Sequence, residues 1–308
     1  TMRIIGNNGR YAAAPQRSVT ALGFFDGMHR GHAALFREAR RLADGMGLPF
    51  FVFSFASDRG PKRACLLQSD RERVAAFFAA GADFCTLAPF PEYAGFGPCE
   101  FVNDILCNRL GTVVAVAGEN FCFGAGASGD MPLLTALMAE RGGSARTVPS
   151  VSFEGIPISS ELIRRALFRG DCARAAQMLG RPYSFTLPVL HGQSRGRGLG
   201  FPTANQLPPP WRALPGDGVY RTVCRTADGR TYDAVTDIGL RPTFGGEERR
   251  AESHLIGFSG NLYGRRLTVA FFEKLRDEEK FDSVAELIAR VQKDKERVLA
   301  WKRKNGTN

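Results

Sequence analysis

Residues 23–32, GFFDGMHRGH, gather two of the chain's 4 histidines and an aspartate among three glycines. The apolar run SVTALGFF (18–25) leads into this stretch. HAALFREARRLADGMG leads out of it, with Leu35, Ala39 and Leu42 at helical spacing and a closing glycine. The order is therefore strand, glycine-rich turn, helix. Such a turn lets the backbone approach a ligand, while the first turn of the helix offers N–H groups without intrahelical partners and the positive end of the helix dipole. A phosphate group suits that place. His29 and His32 can both face a polyphosphate and donate hydrogen bonds as negative charge grows on a leaving group. A tight turn carrying a core histidine is the plain alternative.

The same alternation continues outward. The strand PFFVFSF precedes SDRERVAAFFAAG, where Ser69 and Glu72 have the spacing of a capping box, and the helix is expected to end at Gly81. DFCTLAPF leads into the helix CEFVNDILCNRLG. TVVAVAG leads through GENFCFGAGASGD into MPLLTALMAERGG. Strands alternating with helices predict a parallel sheet covered on both faces, with ligands at the carboxyl ends of the strands. After LGRPY (179–183) the pattern changes to short strands with turns at ADG and SGN, which predicts an antiparallel β-barrel. A final helix is marked by Ser283 and Glu286 as a capping box, and by Val284, Leu287, Ile288 and Val291 on one face. Two domains are expected, 1–182 and 183–308.

Composition agrees with this division, since 308 residues suit about two domains. Hydrophobic residues at 44% and charged residues at 23% are ordinary globular values that exclude a disordered or fibrous chain. The longest apolar stretches, such as LPFFVFSFA (48–56), fall short of the ~20 residues of a membrane span. The opening TMRIIGNNGRYAAAPQRS lacks the apolar core of a secretory signal, so a cytoplasmic location is expected. The 7 cysteines form no CxxC pair, which disfavours both a disulfide framework and a zinc site. The net charge of +10 comes from scattered residues with only short clusters, a pattern better suited to phosphorylated small molecules than to nucleic acid.

A second segment, ISSELIRRALFRGD (158–171), opens a helix with two serines and carries Arg164 about one turn later. Hydroxyls, backbone N–H groups and a guanidinium fork can clamp nucleotide phosphates. On its own, the segment reads equally as an N-cap with a surface arginine. In GFPTAN, Pro202 fixes the backbone while Thr203 and Asn205 offer hard oxygen ligands suited to Mg²⁺ and its attached phosphates.

GFFDGMHRGH and ISSELIR together resemble the nucleotidyltransferase superfamily. LGRPY, GRGLGFPTAN (196–205), PGDGVY (215–220), IGLRPTFGG (238–246) and ESHLIGF (252–258) resemble the bacterial bifunctional riboflavin kinase/FAD synthetase family, in that family's order and over nearly the whole chain. The resemblance implies an α/β architecture: an N-terminal Rossmann-like nucleotidyltransferase domain and a C-terminal riboflavin kinase-like antiparallel β-barrel with a terminal helix. It implies two reactions, phosphorylation of riboflavin to FMN and adenylylation of FMN to FAD with release of pyrophosphate, each with its own ATP and Mg²⁺. In the first domain it assigns His29 and His32 to catalysis, and Gly23, Phe25, Asp26, Gly27, Gly31, Asn120, Ser159, Ser160 and Arg164 to ligand binding. In the second it assigns Glu252 as the base that accepts the riboflavin 5′-hydroxyl proton. Pro202, Thr203 and Asn205 would then hold Mg-ATP, His191, Gly192 and Gly196 would form a loop over the phosphates, and Arg276 would lie near the flavin. Phe121 and Phe123 could pack on the flavin ring or belong to the core.

The sequence departs from the family pattern at several places. FSFASDRGPK replaces a TFxPHP-like segment, and Glu161 stands where a threonine is usual. Pro188, Asp237 and Gly257 replace glycine, asparagine and aspartate respectively. Other readings stay open: a riboflavin kinase with a degenerate adenylyltransferase domain, an adenylyltransferase for another substrate, or a non-catalytic flavin- or RNA-binding protein. The expected partners are the small molecules ATP and riboflavin or FMN, with no membrane; nucleic acid is disfavoured and no oligomeric state is assigned.

Overall fold

The computed structural model describes residues 3–57, 65–191, 201–243 and 246–305. The chain divides into two compact units, Thr1–Ser160 and Glu161–Asn308.

In the first unit the elements run β1 (Ile4–Gly6), β2 (Ser18–Leu22), α1 (Arg30–Met46), β3 (Phe50–Phe55), α2 (Asp70–Ala79) and β4 (Phe84–Ala88). There follow α3 (Pro98–Glu100), which continues as a π-helix over Phe101–Arg109, then β5 (Thr112–Gly118), α4 (Met131–Glu140) and β6 (Ser144–Val148). A hairpin of β7 (Ser152–Phe153) and β8 (Ile156–Pro157) comes last. The main sheet has the order β1-β4-β3-β2-β5-β6, parallel throughout except for β1, which runs antiparallel to β4. The parallel sheet expected from the sequence is thus extended by one antiparallel edge strand.

Alternation along β3 explains why both faces are covered. Phe50 and Val52 join Leu35, Phe36, Ala39 and Phe77 of α1 and α2 on one side. Phe51 and Phe53 join Val102, Leu106, Leu134 and Met138 on the other. Each face buries its own apolar layer, as a doubly wound sheet requires. Because β3 and β5 flank β2 on opposite sides, the strand order reverses there. A ligand crevice is expected at the carboxyl ends of β2 and β5.

The second unit begins with α5 (Ser160–Phe168), whose first residue belongs to the preceding unit, and α6 (Cys172–Leu179). Next come β9 (Tyr183–Pro188), β10 (Ala204–Gln206), β11 (Gly218–Arg225), β12 (Thr231–Thr243), β13 (Gly246–Leu255), β14 (Arg266–Arg276) and the helix α7 (Val284–Asn305). All six strands are antiparallel, in the order β10-β13-β12-β11-β14-β9. The sheet curls into a half-barrel whose edge strands approach each other. Leu190 N–H donates to the Asn205 carbonyl at 2.8 Å, and the Gln206 carboxamide donates to the carbonyls of Leu187 and Leu267, both at 2.8 Å. α6 packs on β14 and β9, burying Cys172, Ala175, Met178 and Leu179, while Val298 of α7 joins Val219, Val235 and Leu275.

Candidate active sites

The turn after β2 is built from unusual backbone. Phe25, Gly27 and Met28 all have positive φ, at 54°, 85° and 41°. Two glycines sit where side chains crowd: a Cβ on Gly23 would lie 2.8 Å from the Phe25 ring, so that ring would have to shift, and one on Gly31 would meet the His29 ring tightly at 3.1 Å. His29 caps α1, its Nδ1 accepting the His32 N–H at 3.3 Å, so a neutral His29 ring carries its proton on Nε2. The two imidazoles stack with centroids 3.6 Å apart. The spacing of the two histidines thus becomes one face at the start of a 17-residue helix.

Other residues expected at this turn have different positions. The Phe25 ring is turned into the core, edge-on to His32, Phe36 and Phe77, so this residue offers the turn only its backbone. Asp26 is buried, and its carboxylate accepts the N–H groups of Leu67 and Gln68 at 3.0 and 3.1 Å, a bracing role. Ser160 Oγ donates to the Asp26 carbonyl at 2.8 Å and Ser159 is exposed. Asn120 is exposed just past the end of β5. Phe123 lies in the core and Phe121 packs against it.

In the second unit, Arg164 gives Nε and Nη2 to the Glu161 carboxylate at 3.2 and 3.1 Å, and Arg165 Nε joins at 3.1 Å. Hydrogen bonds from Arg165 and Arg164 hold the Glu161 carboxyl below the usual carboxylate range. The negative charge that departs from the family pattern is thus balanced by its own helix.

Cross-strand register assembles the half-barrel site. Asn205 pairs with Glu252, Glu252 with Asp237, Asp237 with Val219, and Val219 with Arg276, one row across five strands. Directly opposed residues share a face of the sheet. Thr203, Asp237, Glu252, His254 and Arg276 accordingly line one cavity of about 520 Å³, to whose lining α7 adds Leu287, Ile288, Val291 and Asp294. Thr203 also lines a second cavity of about 250 Å³ with Pro202 and Asn205. Arg276 is fixed by Asp294, Nε to Oδ2 at 2.9 Å. His191 is exposed and stacks on Tyr263 at 3.9 Å; Gly192 and Gly196 lie outside the described residues.

Asp237 and His254 belong to this wall although neither is among the expected site residues. For His254 the signal was the alternation in ESH, which puts it on the face of Glu252; Asp237 comes to the wall only through its pairing with Glu252 across strands. His254 Nδ1 lies 3.0 Å from the Pro202 carbonyl; that oxygen can only accept, so Nδ1 carries the proton. Burial lowers the pKa of His254, partly offset by this bond. For a cation, Thr203 supplies a hydroxyl and Asn205 a carboxamide, whose nitrogen lies 3.5 Å from that hydroxyl. These hard donors fit Mg²⁺ carried in on nucleotide phosphates. No cluster of three or more His, Cys, Asp or Glu side chains able to hold a metal occurs among the described residues.

Comparison with known proteins matches a family to each half of the chain. Residues 11–162 match the FAD synthetase family and residues 179–302 the riboflavin kinase family. The bifunctional riboflavin kinase/FMN adenylyltransferase of Escherichia coli K12 is 33% identical over 303 residues, covering 95% of this chain and 96% of the relative. The proteins of that description from Pseudomonas fluorescens and Bacillus subtilis are 35% and 31% identical, covering 90% and 92% of each chain. A solved structure described as a macrolide-efflux protein from Streptococcus pneumoniae superposes with a TM-score of 0.86 at 31% identity, covering 96% of this chain and 97% of that one. Among the described residues no helix is long and apolar enough to cross a membrane. A doubly wound nucleotide-type domain followed by a flavokinase half-barrel defines a two-domain transferase. The chain belongs to the bifunctional riboflavin kinase/FMN adenylyltransferase family.

Proposed function

We propose that the chain phosphorylates riboflavin to FMN in the half-barrel and joins FMN to AMP at the doubly wound sheet, giving FAD and pyrophosphate. The observation that carries the reading is the meeting of Thr203, Glu252 and Arg276 on one cavity wall. Glu252 accepts the proton of the 5′-hydroxyl as that oxygen bonds to the γ-phosphorus of ATP and the bond to the β-phosphate oxygen breaks. Thr203 and Asn205 would hold Mg²⁺, which supplies charge neutralisation on the phosphates. Arg276, held by Asp294, contacts the flavin.

Adenylyl transfer needs no base, because the FMN phosphate is already ionised when it attacks the α-phosphorus. His29 and His32 then stabilise the pyrophosphate that leaves, with backbone N–H groups at the α1 N-terminus. Ser159 and Asn120 complete the ligand contacts that the first unit makes in this step. Residues 1–182 and 183–308 are the functional domains, and the reactions run in the cytoplasm on small molecules. Chromatography of products from riboflavin, ATP and Mg²⁺ tests the reading: FMN followed by FAD is expected, and flavin left unchanged would reject it.

A further inference from the structure

Arg73 lies one turn into α2, on the inward face it shares with Phe77, where an apolar residue would ordinarily sit. Its side chain is wholly buried. Burying an uncompensated cation is strongly unfavourable, so a buried guanidinium persists only with partners in place. Nη2 donates to the Phe24 carbonyl and to Ser54 Oγ. Nη1 donates to the Phe55 carbonyl at 2.9 Å and to the Asp70 carboxylate at 2.8 Å. The guanidinium carbon also lies 4.3 Å from the centre of the Phe24 ring. Asp70 in turn accepts the Ser57 N–H at 3.0 Å. One cation thus ties together the exit of β2, the exit of β3 and the start of α2.

What it ties down is strained. Phe25 and Met28 are non-glycine residues in the left-handed region, a strained state that persists only where the surroundings over-determine it. The Phe24 carbonyl lies in the same peptide plane as the Phe25 nitrogen, so fixing that oxygen fixes the plane from which Phe25 φ is measured. Arg73 and Ser54 both donate to it, Ser54 at 3.0 Å. Downstream, the Asp26 carboxylate and carbonyl are held separately by Leu67, Gln68 and Ser160. The turn is therefore clamped on both sides of Phe25, upstream by a cation and downstream by a carboxylate.

We infer that Arg73 is a positioning residue for adenylyl transfer: it holds residues 23–32 in the shape that presents His29, His32 and the α1 N-terminus to ATP, without itself touching the ligands. The inference rests on the reading that ATP phosphates bind at that turn. Displacement of about 1 Å at a reacting centre can cost ~10²-fold in rate.

The test uses the full chain, because the kinase reaction in the second unit reports intact protein independently. Arg73→Met keeps much of the volume and removes every donor. Arg73→Lys keeps the charge but replaces the two donor nitrogens, one on the Phe55 carbonyl and one on the Phe24 carbonyl, with a single one. FAD formation from FMN and ATP is measured with its kcat and KM for ATP, beside FMN formation and thermal unfolding. We expect kcat/KM for FAD formation to fall ~10²-fold in Arg73→Met and ~10-fold in Arg73→Lys, at a temperature where both are folded, with FMN formation within about twofold of wild type. Wild-type kcat and KM for FAD formation in the folded variants would overturn the inference. If Arg73→Met does not fold, Arg73→Lys decides by the same two results. His32→Ala separates the underlying reading: unchanged FAD formation there means that ATP does not use this turn. A loss there with both Arg73 variants at wild-type constants leaves the turn assigned and rejects Arg73.

Discussion

The two phosphate-handling segments are held in place in opposite ways. Residues 23–32 form a turn outside the sheet, with three positive φ angles within residues 25–28, braced by bonds to distant segments such as Asp26 to Leu67 and Phe24 to Arg73. The Pro202–Asn205 segment runs into β10, and the pairing of Asn205 with Glu252 sets its place. A one-residue slip would turn Asn205 and Glu252 to opposite faces, so the sheet itself enforces the site. The first site depends on long-range bonds made by side chains and the second on backbone pairing within the sheet.

The sharpest way to break this comparison is Glu252→Ala. It should lower FMN formation by ~10²–10⁴-fold, the usual contribution of a general base, and leave FAD formation from added FMN unchanged. Steady-state rates with each flavin supplied separately check it. Next in size is the effect of removing α5 and α6. A fragment starting at Glu161 keeps α6 on β9 and β14 and keeps the Gly216 N–H bonded to the Leu167 carbonyl at 2.9 Å, whereas one starting at Tyr183 loses both. Exposing the groove that receives Met178 and Leu179 costs on the order of 4 kcal/mol, a large share of the ~5–15 kcal/mol that stabilises a typical domain. Thermal unfolding of the two fragments should show the longer one folded and the shorter one marginal.

His32→Ala should lower FAD formation by roughly 10²–10³-fold and spare the kinase, as loss of one charge-stabilising donor does. The smallest effect belongs to His254→Phe, which keeps the edge contact to Phe201 and loses the bond to the Pro202 carbonyl. One hydrogen bond of about 1 kcal/mol corresponds to a factor of about 5, expected in KM for ATP during riboflavin phosphorylation. His254→Asn places an amide N–H near Nδ1 and should recover most of it. A wild-type KM in the phenylalanine variant would show that the register alone holds the segment.

The same difference explains what could be read from the sequence. The strand and helix alternation was legible because the apolar residues recur with period, and the Ser69–Glu72 capping box is present with both of its bonds. At the last helix, Glu286 N–H donates to Ser283 Oγ while the Glu286 carboxylate reaches Asp282 N–H, so that cap is displaced by one residue on its return arm. β1 was not legible, since three residues, IIG, carry no period. β6 was hidden by its exposed pattern, and the β7–β8 hairpin by its two-residue strands. In the half-barrel, ESH and GFPTAN could be recognised separately, but their meeting depends on the β10–β13 register. Phe25 was expected at the ligand because of its neighbours, while its positive φ turns the ring into the core. Arg73 and its partner Phe24 are 49 residues apart, and such a bond leaves no local signature beyond a cation on the apolar side of a helix.

The central claim is that each proposed functional domain, 1–182 and 183–308, carries one complete and separate reaction. Mixing the Glu252→Ala and His32→Ala proteins tests it directly, with riboflavin, ATP and Mg²⁺ as the only inputs and chromatography of flavins as the readout. Alone, the first should leave riboflavin unchanged and the second should stop at FMN; together they should make FAD, because FMN released by one is used by the other. A mixture that accumulates FMN without FAD, when Glu252→Ala still converts added FMN at high concentration, would keep the two sites but require FMN to pass within one chain. A Glu252→Ala protein unable to convert added FMN at any concentration would contradict the separation itself.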